Sequence, residues 1–256
     1  MLVRTRSIDE LMERAVRGGA TQLVILGAGF DTRAHRFTEL LKDVTVVEID
    51  YGATQEYKKR RVEAALGGAP ANVVYAPIDF ARDSLGEVLR RAGFQPGRKT
   101  YYICEGVSMY VPEEGMKQVL RAIAAESAPG SVLLLEYLNR GGLEVLRKYP
   151  TGMIKNALDW GEPFVFGVPD AQDSEFFRET GLELGETLKI GSPESVKRYA
   201  MRQDGSYYGA HLEKAFQQRR EAVLKTMDDA GRQQAAQAAA TSGYWLAELS
   251  VPDRTF

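Results

Sequence analysis

The 256-residue chain is poor in cysteine and histidine, with only Cys104, His35 and His211. A lone thiol excludes an intrachain disulfide and a zinc site built from several thiolates, and two histidines are too few for a histidine-rich metal centre. Since Cys104 lies in an apolar run, we expect it to pack as a small buried side chain and not to act as a nucleophile. The sequence predicts no metal site.

The chain also lacks an excess of charge of either sign. Its 33 Lys and Arg residues against 35 Asp and Glu residues leave a formal charge of -2, which provides no basic field for a nucleic-acid backbone. No segment approaches the roughly 18 consecutive apolar residues that a membrane span needs, and residues 1–10 carry charges where a secretory signal would be apolar. We expect a cytoplasmic protein that binds neither nucleic acid nor membrane, and its oligomeric state, including a homo-oligomer, stays open.

Short apolar runs alternate with longer amphipathic segments, a pattern typical of α/β proteins. The runs cover residues 21–26, 44–49, 73–78, 100–104, 131–138, 182–190 and 244–251. The first five are about 20 to 30 residues apart, which leaves room for a crossover helix between parallel strands. The pattern predicts a Rossmann-like, doubly wound, mostly parallel seven-stranded sheet in one domain over residues 1–256.

Two insertions and two helix starts can be read from the sequence. Pro112 before two glutamates predicts a helix over 112–127, and Ser192-Pro193-Glu194 predicts one to about residue 202. Residues 139–181 and 191–243 interrupt the rhythm after the fifth and sixth strands, and 210–230 has the composition of a polar helix. We expect both insertions to be helical caps that choose the substrate.

The first strand is followed by Gly27, Ala28 and Gly29, where glycine permits a tight turn and close approach of a ligand. In an open α/β sheet, ligands bind beyond the carboxyl ends of the strands, next to this turn. A dinucleotide-binding loop would have a third glycine where this chain has Thr32, and Asp31 is expected to repel phosphate. The turn therefore favours a nucleoside without phosphates.

Acidic residues end the next three strands. Asp50 follows the glycine turn at the distance, about 20 residues, at which an acid binds ribose hydroxyls, and Glu48 on the same side of the strand is the alternative. Asp79 and Phe80 end the third strand, where a carboxylate or backbone N–H and a ring suit adenine. Glu105 ends the fourth strand beside the first loop. Together these residues predict a nucleoside site.

Three strings, GAGFDTR at 27–33, VEID at 47–50 and EGVSMY at 105–110, resemble the leucine carboxyl methyltransferase-like family of class I S-adenosylmethionine-dependent methyltransferases. Arg4, Thr5 and Arg6 with Asp9 are similar to the family's segment before the first strand. The resemblance is strongest over residues 4–138 and implies S-adenosyl-L-methionine as cofactor and a small-molecule methyl acceptor.

The resemblance also implies a role for each matching residue. Arg4, or Arg6 if the local register differs by two, holds the methionine carboxylate. Asp50 binds the ribose, Asp79 and Phe80 flank the adenine, and Glu105 lies beside the amino end of the cofactor. The loop that carries Gly27, Ala28, Gly29 and Asp31 lies against the methionyl part.

One departure from the family lies at the start of the chain. Family members have several dozen residues before the arginine, forming helices that close over the site, and this chain has three. Either the substrate pocket is more open here, or the start of the sequence has been lost or reassigned.

The acceptor chemistry depends on whether a general base is present. A carboxylate acceptor needs none, whereas a hydroxyl acceptor does. His211, with Tyr207 and Tyr208, lies in the second insertion, where a cap could bring it to the acceptor; a surface histidine beside two packing tyrosines is the alternative. Trp160 and Phe164 in the first insertion either line an acceptor pocket or belong to the core.

Two basic features are expected to be structural. The run at 58–61, with glutamates at 56 and 63, is typical of the solvated face of a helix, and His35 is expected to be structural.

The function predicted from the sequence is an S-adenosylmethionine-dependent O-methyltransferase acting on a carboxylate or hydroxyl of a small molecule. A non-catalytic S-adenosylmethionine-binding protein and a nicotinamide-dependent oxidoreductase are the alternatives.

Overall fold

The computed structural model describes residues 2–80, 82–150, 153–209, 218, 221–233, 236 and 243–253. Within this part of the chain a central sheet has seven strands. They are β1 (Gln22–Leu26), β2 (Thr45–Asp50), β3 (Val73–Pro77), β4 (Thr100–Cys104), β5 (Val132–Leu138), β6 (Glu183–Lys189) and β7 (Tyr244–Ser250). Each predicted run agrees with its strand to within one residue at both ends.

The strand order is β3-β2-β1-β4-β5-β7-β6. Strands β1 to β5 pair in parallel, and β7 runs antiparallel between β5 and β6. The order reverses between β1 and β4, so the carboxyl ends of these strands form the switch point of the sheet. The predicted mostly parallel seven-stranded α/β sheet is confirmed.

The helices lie on both faces of the sheet. They are α1 (Leu2–Arg17), α2 (Arg33–Arg36), α3 (Thr38–Leu41), α4 (Gly52–Leu66), α5 (Leu85–Arg91), α6 (Glu113–Glu126), α7 (Arg140–Lys148), α8 (Met153–Asp159), α9 (Asp173–Arg178) and α10 (Pro193–Tyr199), with a 3-10 turn at Ser108–Tyr110. In the part of the chain that the structure covers, no helix combines the length and the apolar character that crossing a bilayer requires.

Burial on both faces explains why the central strands are continuous apolar runs. Every residue of β1 and of β4 is buried. One face packs against α1 and α10, with Ile8 and Tyr101 in its core, and the other packs against α5, α6 and α9, with Tyr102 and Phe177 in its core. This double cover leaves the strand ends as the place for a ligand.

The two predicted helix starts are confirmed, and one predicted helix end is wrong. Helix α6 begins directly after Pro112, and the Ser192 hydroxyl accepts the Ser195 backbone N–H at 3.1 Å, which caps α10. Helix α10 ends at Tyr199, three residues before the predicted end, because the chain turns back there and Met201 forms a β-bridge with Tyr207.

The described parts of the insertions contain helices joined by non-helical segments. Helices α7, α8 and α9 lie between β5 and β6, and α10 with helical residues 221–225 and 229–233 lies between β6 and β7. Most of the first half of the predicted helix at 210–230 lies outside the described residues. The pattern of apolar runs predicts no element for residues 2–17. The structure has helix α1 there, and Val3, Ile8 and Leu11 are buried on its inner side.

The expectation that the basic run at 58–61 lies on a solvated face is wrong for Lys58, whereas Arg60 and Arg61 are exposed. Lys58 is only 4% exposed, and its ammonium forms an ion pair with the buried Glu48 of β2. Burial raises the pKa of Glu48 to about 7, against the opposing effect of Lys58. Lys59, one residue on, pairs with Glu56 at 2.8 Å on the exposed side of α4. Because α4 packs against the sheet, consecutive basic residues on it point to different sides, and only some of them reach water.

Candidate active site

A cavity of about 410 Å³ lies at the carboxyl ends of β1 and β4. Its volume is in the range of small-molecule sites, roughly 300–1,000 Å³. The lining residues come from the first turn of α1, the end of β1, the glycine turn, α2 and the end of β4: Arg4, Thr5, Ile25, Leu26, Gly27, Ala28, Gly29, Phe30, Asp31, Thr32, Arg33, Arg36 and Glu105. Six of the nine cofactor residues predicted from the sequence are among them.

The glycine turn is shaped by two left-handed backbone positions, Gly27 at φ 63° and Gly29 at φ 43°. A Cβ on Gly27 would lie 2.2 Å from Cγ2 of Val107 in the loop after β4. Since no side chain fits this distance, glycine is required for the loops of β1 and β4 to approach each other. Their approach forms one side of the cavity.

Asp50 holds this turn from the neighbouring strand. Its Oδ2 accepts the backbone N–H of Gly29 at 2.5 Å, and its Oδ1 accepts that of Tyr51 at 2.6 Å. The carboxylate thus contacts the cavity lining without being part of it, and about two of its four acceptor positions remain for further donors. Glu48, the alternative to Asp50, faces Lys58 beneath the sheet surface and does not reach the cavity.

Arg4 and Glu105 place opposite charges on the cavity wall. Arg4 Nε lies 2.7 Å from Glu105 Oε1. Burial lowers the pKa of Arg4, but Glu136 and Glu105 outweigh this and raise it, so the guanidinium stays charged. Arg6 is exposed and stacks on the Tyr208 ring at 5.3 Å. Of the two arginines considered from the sequence, Arg4 is the one at the cavity.

Arg33 connects three carboxylates and is a site residue that the sequence reasoning left without a role. Its Nη1 lies 2.8 Å from Glu105 Oε2 and contacts Asp31, and its Nε lies 2.8 Å from Asp9 Oδ1. Its side chain is 4% exposed. Its position inside the GAGFDTR string was the signal that could have identified it.

The pairing of Asp31 with Arg33 changes the argument about phosphate. Asp31 alone does not repel phosphate, because Arg33 neutralises it. The connected network nevertheless contains four carboxylates, on residues 9, 31, 105 and 136, against three guanidinium groups, on residues 4, 33 and 36. One net negative charge remains, which suits a cation better than a pyrophosphate.

Glu136 of β5 is a second residue that the sequence reasoning missed. Its side chain is 2% exposed, and both carboxylate oxygens accept from Arg4 Nη1, at 3.0 and 3.1 Å. Its Oε2 also accepts the Gly106 N–H at 2.7 Å. An acid isolated within the apolar run at 131–138 was the available signal, because such a charge needs a buried partner.

The remaining predicted cofactor residues lie outside the cavity lining. Asp79 and Phe80 follow β3 as predicted, but the Asp79 N–H donates to the Asp83 carboxylate at 2.8 Å, and Phe80 packs against the core. Asp79 also forms an ion pair with Arg82 at 3.6 Å. Their predicted role at adenine stays a prediction.

Of the residues considered for catalysis, Tyr207 and Tyr208 are described, and neither lines the cavity. Tyr207 packs beside α10, and the Tyr208 ring lies between Arg6 and Arg202, with the Arg202 guanidinium 4.6 Å from its centre. His211 lies outside the described residues.

Three other side chains singled out in the sequence are placed clearly. Phe164 is buried against Tyr110, with ring centres 4.9 Å apart, and Trp160 is 74% exposed. Cys104 is buried as expected, and burial raises its pKa to about 12.

The fold and the cavity together define a class. The strand order, the antiparallel β7 and a nucleoside-sized cavity after β1 are those of a class I methyltransferase. Solved structures share this fold: an O-methyltransferase family protein from Burkholderia thailandensis has a TM-score of 0.53 at 13% identity, covering 99% of this chain and 58% of that one. Phosphoethanolamine N-methyltransferase 2 from Haemonchus contortus, in complex with S-adenosyl-L-methionine, has a TM-score of 0.52 at 14% identity, covering 95% and 53%.

Sequence relatives identify the family. A model of the leucine carboxyl methyltransferase family matches residues 1–124. A Mycolicibacterium smegmatis protein named as an S-adenosyl-L-methionine-dependent methyltransferase is 31% identical over 229 residues, covering 82% of this chain and 73% of that protein. A Mycolicibacterium vanbaalenii protein of the same name is 40% identical over 138 residues, but the match covers only 44% of its length. The chain belongs to the leucine carboxyl methyltransferase family of S-adenosyl-L-methionine-dependent methyltransferases.

Membership of this family confirms the resemblance, the cofactor and the enzyme class, and it decides against a nicotinamide-dependent oxidoreductase. The cavity fits S-adenosyl-L-methionine, because an oppositely charged pair suits a zwitterionic amino-acid end and the net charge suits a sulfonium cation. The glycine turn also leads into only the four residues of α2, which is too short a helix to hold a pyrophosphate by its dipole.

Proposed function

We propose that the protein transfers a methyl group from S-adenosyl-L-methionine to an oxygen of a small molecule, with a carboxylate as the favoured acceptor and a hydroxyl as the alternative. The observation that carries the preference is that both carboxylates lining the described cavity, those of Asp31 and Glu105, are held by arginine. Neither is free to take a proton from a hydroxyl, and a carboxylate acceptor has no proton to lose. The carboxyl acceptor in the name of the matching family model supports the same preference.

The residues of the cavity have positioning roles in this proposal. When bound, the cofactor supplies an electrophilic methyl group on its sulfonium. Arg4 and Glu105 receive its carboxylate and ammonium, and Asp50 receives the ribose hydroxyls from the edge of the glycine turn. Because methyl transfer is an in-line displacement, orientation of the reactants and exclusion of water provide most of the catalysis.

The acceptor side of the proposal rests on an apolar cluster beyond the end of β5. It contains Met109, Leu138, Leu143, Ala157 and Phe164. Tyr110 and Tyr244 adjoin it, and burial, with a contribution from Glu136, raises the pKa of both. The buried Tyr244 hydroxyl has no hydrogen-bond partner in the part of the chain that the structure describes. We infer that the cluster holds the apolar body of the acceptor and that this hydroxyl donates to an acceptor oxygen.

A screen of matched acids and phenols tests the acceptor. Each aromatic acid is paired with the phenol of the same ring, S-adenosyl-L-methionine is added, and mass spectrometry records the gain of one methyl group. Mild alkali then separates the products, because it hydrolyses a methyl ester and leaves a methyl ether intact. We expect products that mild alkali hydrolyses, from acids of apolar body.

Other outcomes of the screen have defined meanings. Ether formation that His211→Ala abolishes would transfer the proposal to a hydroxyl acceptor with His211 as base. Binding of S-adenosyl-L-methionine without methyl gain by any acceptor would favour the non-catalytic alternative. Tyr244→Phe is expected to lower turnover at unchanged cofactor affinity, with the exposed Tyr57→Phe as control.

The proposal includes a cytoplasmic location, which is supported by the unpaired, buried thiol of Cys104. Cell fractionation tests it.

A further inference from the structure

The two opposite charges on the cavity wall are paired with each other, and each has a second partner behind it. Beyond the 2.7 Å contact of Arg4 with Glu105, Arg4 Nη1 lies 3.0 and 3.1 Å from the two carboxylate oxygens of Glu136. The other oxygen of Glu105 lies 2.8 Å from Arg33 Nη1. From Glu136 to Arg33 the charges therefore alternate as anion, cation, anion and cation.

The two inner members of this row, Arg4 and Glu105, are less buried than the two outer members, Glu136 and Arg33. The side chains of Arg4 and Glu105 are each 18% exposed, whereas those of Glu136 and Arg33 are 2% and 4% exposed. A largely buried charge that loses its only partner is strongly unfavourable. The inner pair opens readily only if each of its members keeps another partner.

Opening of this pair is what a zwitterionic ligand requires. An α-amino-acid group carries its carboxylate and its ammonium on one carbon, so it binds Arg4 and Glu105 by inserting between them. We propose that Glu136 is a positioning residue for this exchange: it holds the Arg4 guanidinium toward the cavity while the Arg4–Glu105 ion pair gives way to the amino-acid end of the cofactor. Arg33 holds Glu105 in the same way. This inference rests on the proposed cofactor-binding role of Arg4 and Glu105.

Glu136 makes two contacts, one with Arg4 and one with the Gly106 N–H, and one substitution affects them differently. Its Oε2 accepts the Gly106 N–H at 2.7 Å, which ties it to the loop that follows Glu105. A glutamine at this position still offers a carbonyl oxygen to Gly106, but it turns an amide N–H₂ toward the N–H groups of Arg4, so that donor meets donor. Glu136→Gln therefore removes the charge and one of the two oxygens that accept from Arg4, while the oxygen at the position of Oε2 still accepts from Gly106 and stays close to Arg4 Nη1.

Two ligands that differ only at the amino-acid end test the inference. S-Adenosylhomocysteine has that end, and 5′-methylthioadenosine has the same nucleoside and sulfur without it. Calorimetry on Glu136→Gln is expected to show about tenfold weaker binding of S-adenosylhomocysteine, the loss of one charge-assisted hydrogen bond, with the affinity for 5′-methylthioadenosine unchanged. Glu248→Gln is the matched control, because Glu248 of β7 pairs with Arg14 of the same helix α1 outside the cavity, and it should leave the ratio of the two affinities unchanged.

Three results would overturn the inference. An unchanged ratio, or a ratio shifted toward S-adenosylhomocysteine, would mean that Glu136 does no more than neutralise Arg4. An equal loss for both ligands would mean that it only maintains the loop. If circular dichroism shows Glu136→Gln to be unfolded, Glu136→Asp takes its place, because it keeps the charge and withdraws the carboxylate by one methylene. The affinity for S-adenosylhomocysteine relative to that for 5′-methylthioadenosine should then fall, and an unchanged ratio overturns the inference. A wild-type protein that binds neither ligand refutes the proposed function instead.

Discussion

Asp50→Asn separates the two roles of the carboxylate at the end of β2. In the native protein one oxygen accepts the N–H of Gly29 and the other that of Tyr51. Asparagine keeps one acceptor and presents an amide donor to the other N–H. At least one charge-assisted hydrogen bond is lost, worth about 1.5 to 3 kcal/mol when buried.

Partial exposure of Asp50 reduces this figure. We therefore expect the free energy of unfolding to fall by about 1 to 2 kcal/mol. A ribose that donates to this carboxylate loses a charged acceptor as well, so binding of S-adenosylhomocysteine to the folded variant should weaken roughly ten- to a hundredfold.

Urea unfolding followed by circular dichroism measures the first effect, and calorimetry with S-adenosylhomocysteine measures the second. Asp43→Asn is the control, because Asp43 is exposed in the turn before the same strand, and it should change neither quantity. A stability loss with unchanged affinity would limit Asp50 to the turn and refute its ribose role, since Glu48 is held by Lys58 and does not reach the cavity. Unchanged stability would refute the hydrogen-bond argument itself.

Three further predictions concern Lys58, Glu48 and Gly27. Lys58→Met leaves the Glu48 carboxylate buried without its cation. In urea titrations at a pH above the native Glu48 pKa of about 7, where this carboxylate is ionised in the native protein, the substitution should lower the free energy of unfolding by about 3 to 5 kcal/mol, and a loss below about 1 kcal/mol would contradict this. Because burial raises the pKa of Glu48 from 4.5 to about 7, the native state binds more protons than the unfolded state mainly between these two pH values. This group's contribution to stability should therefore decline as pH rises through that window, and Glu48→Gln should remove that slope from unfolding curves measured across it. Gly27→Ala should abolish S-adenosylhomocysteine binding in calorimetry, because the alanine Cβ would lie 2.2 Å from Val107 and the φ of this residue is positive. Adding Val107→Ala to this variant should restore only part of the binding. Full binding by Gly27→Ala alone would show that the glycine turn is not required.

The sheet was predictable because its signal is local. Strands buried on both faces are continuous apolar runs, and turn residues mark their ends. The glycine turn and Glu105 were found for the same reason, since both stand at strand ends.

The charge network was not predictable in this way, because its partners are distant in sequence. Arg4 meets Glu136 across 132 positions and Arg33 meets Glu105 across 72. Lys58 was assigned to a solvated face because the nearest acids in sequence, at 56 and 63, suggested local pairing, whereas its partner Glu48 lies in β2. In both cases the usable clue was an isolated acid within an apolar strand.

The contact of Arg4 with Glu136 also has a consequence for the order of folding. Helix α1 is the first described element of the chain, but one of its charged partners emerges from the ribosome only after β1 and β4 have been made. Contacts between such distant positions form late, because the entropy of closing a long loop must be overcome first. The cavity wall is therefore complete only after α1 and β5 have come together, and during refolding the ability to bind S-adenosylhomocysteine should return after the local contacts within the helices have formed.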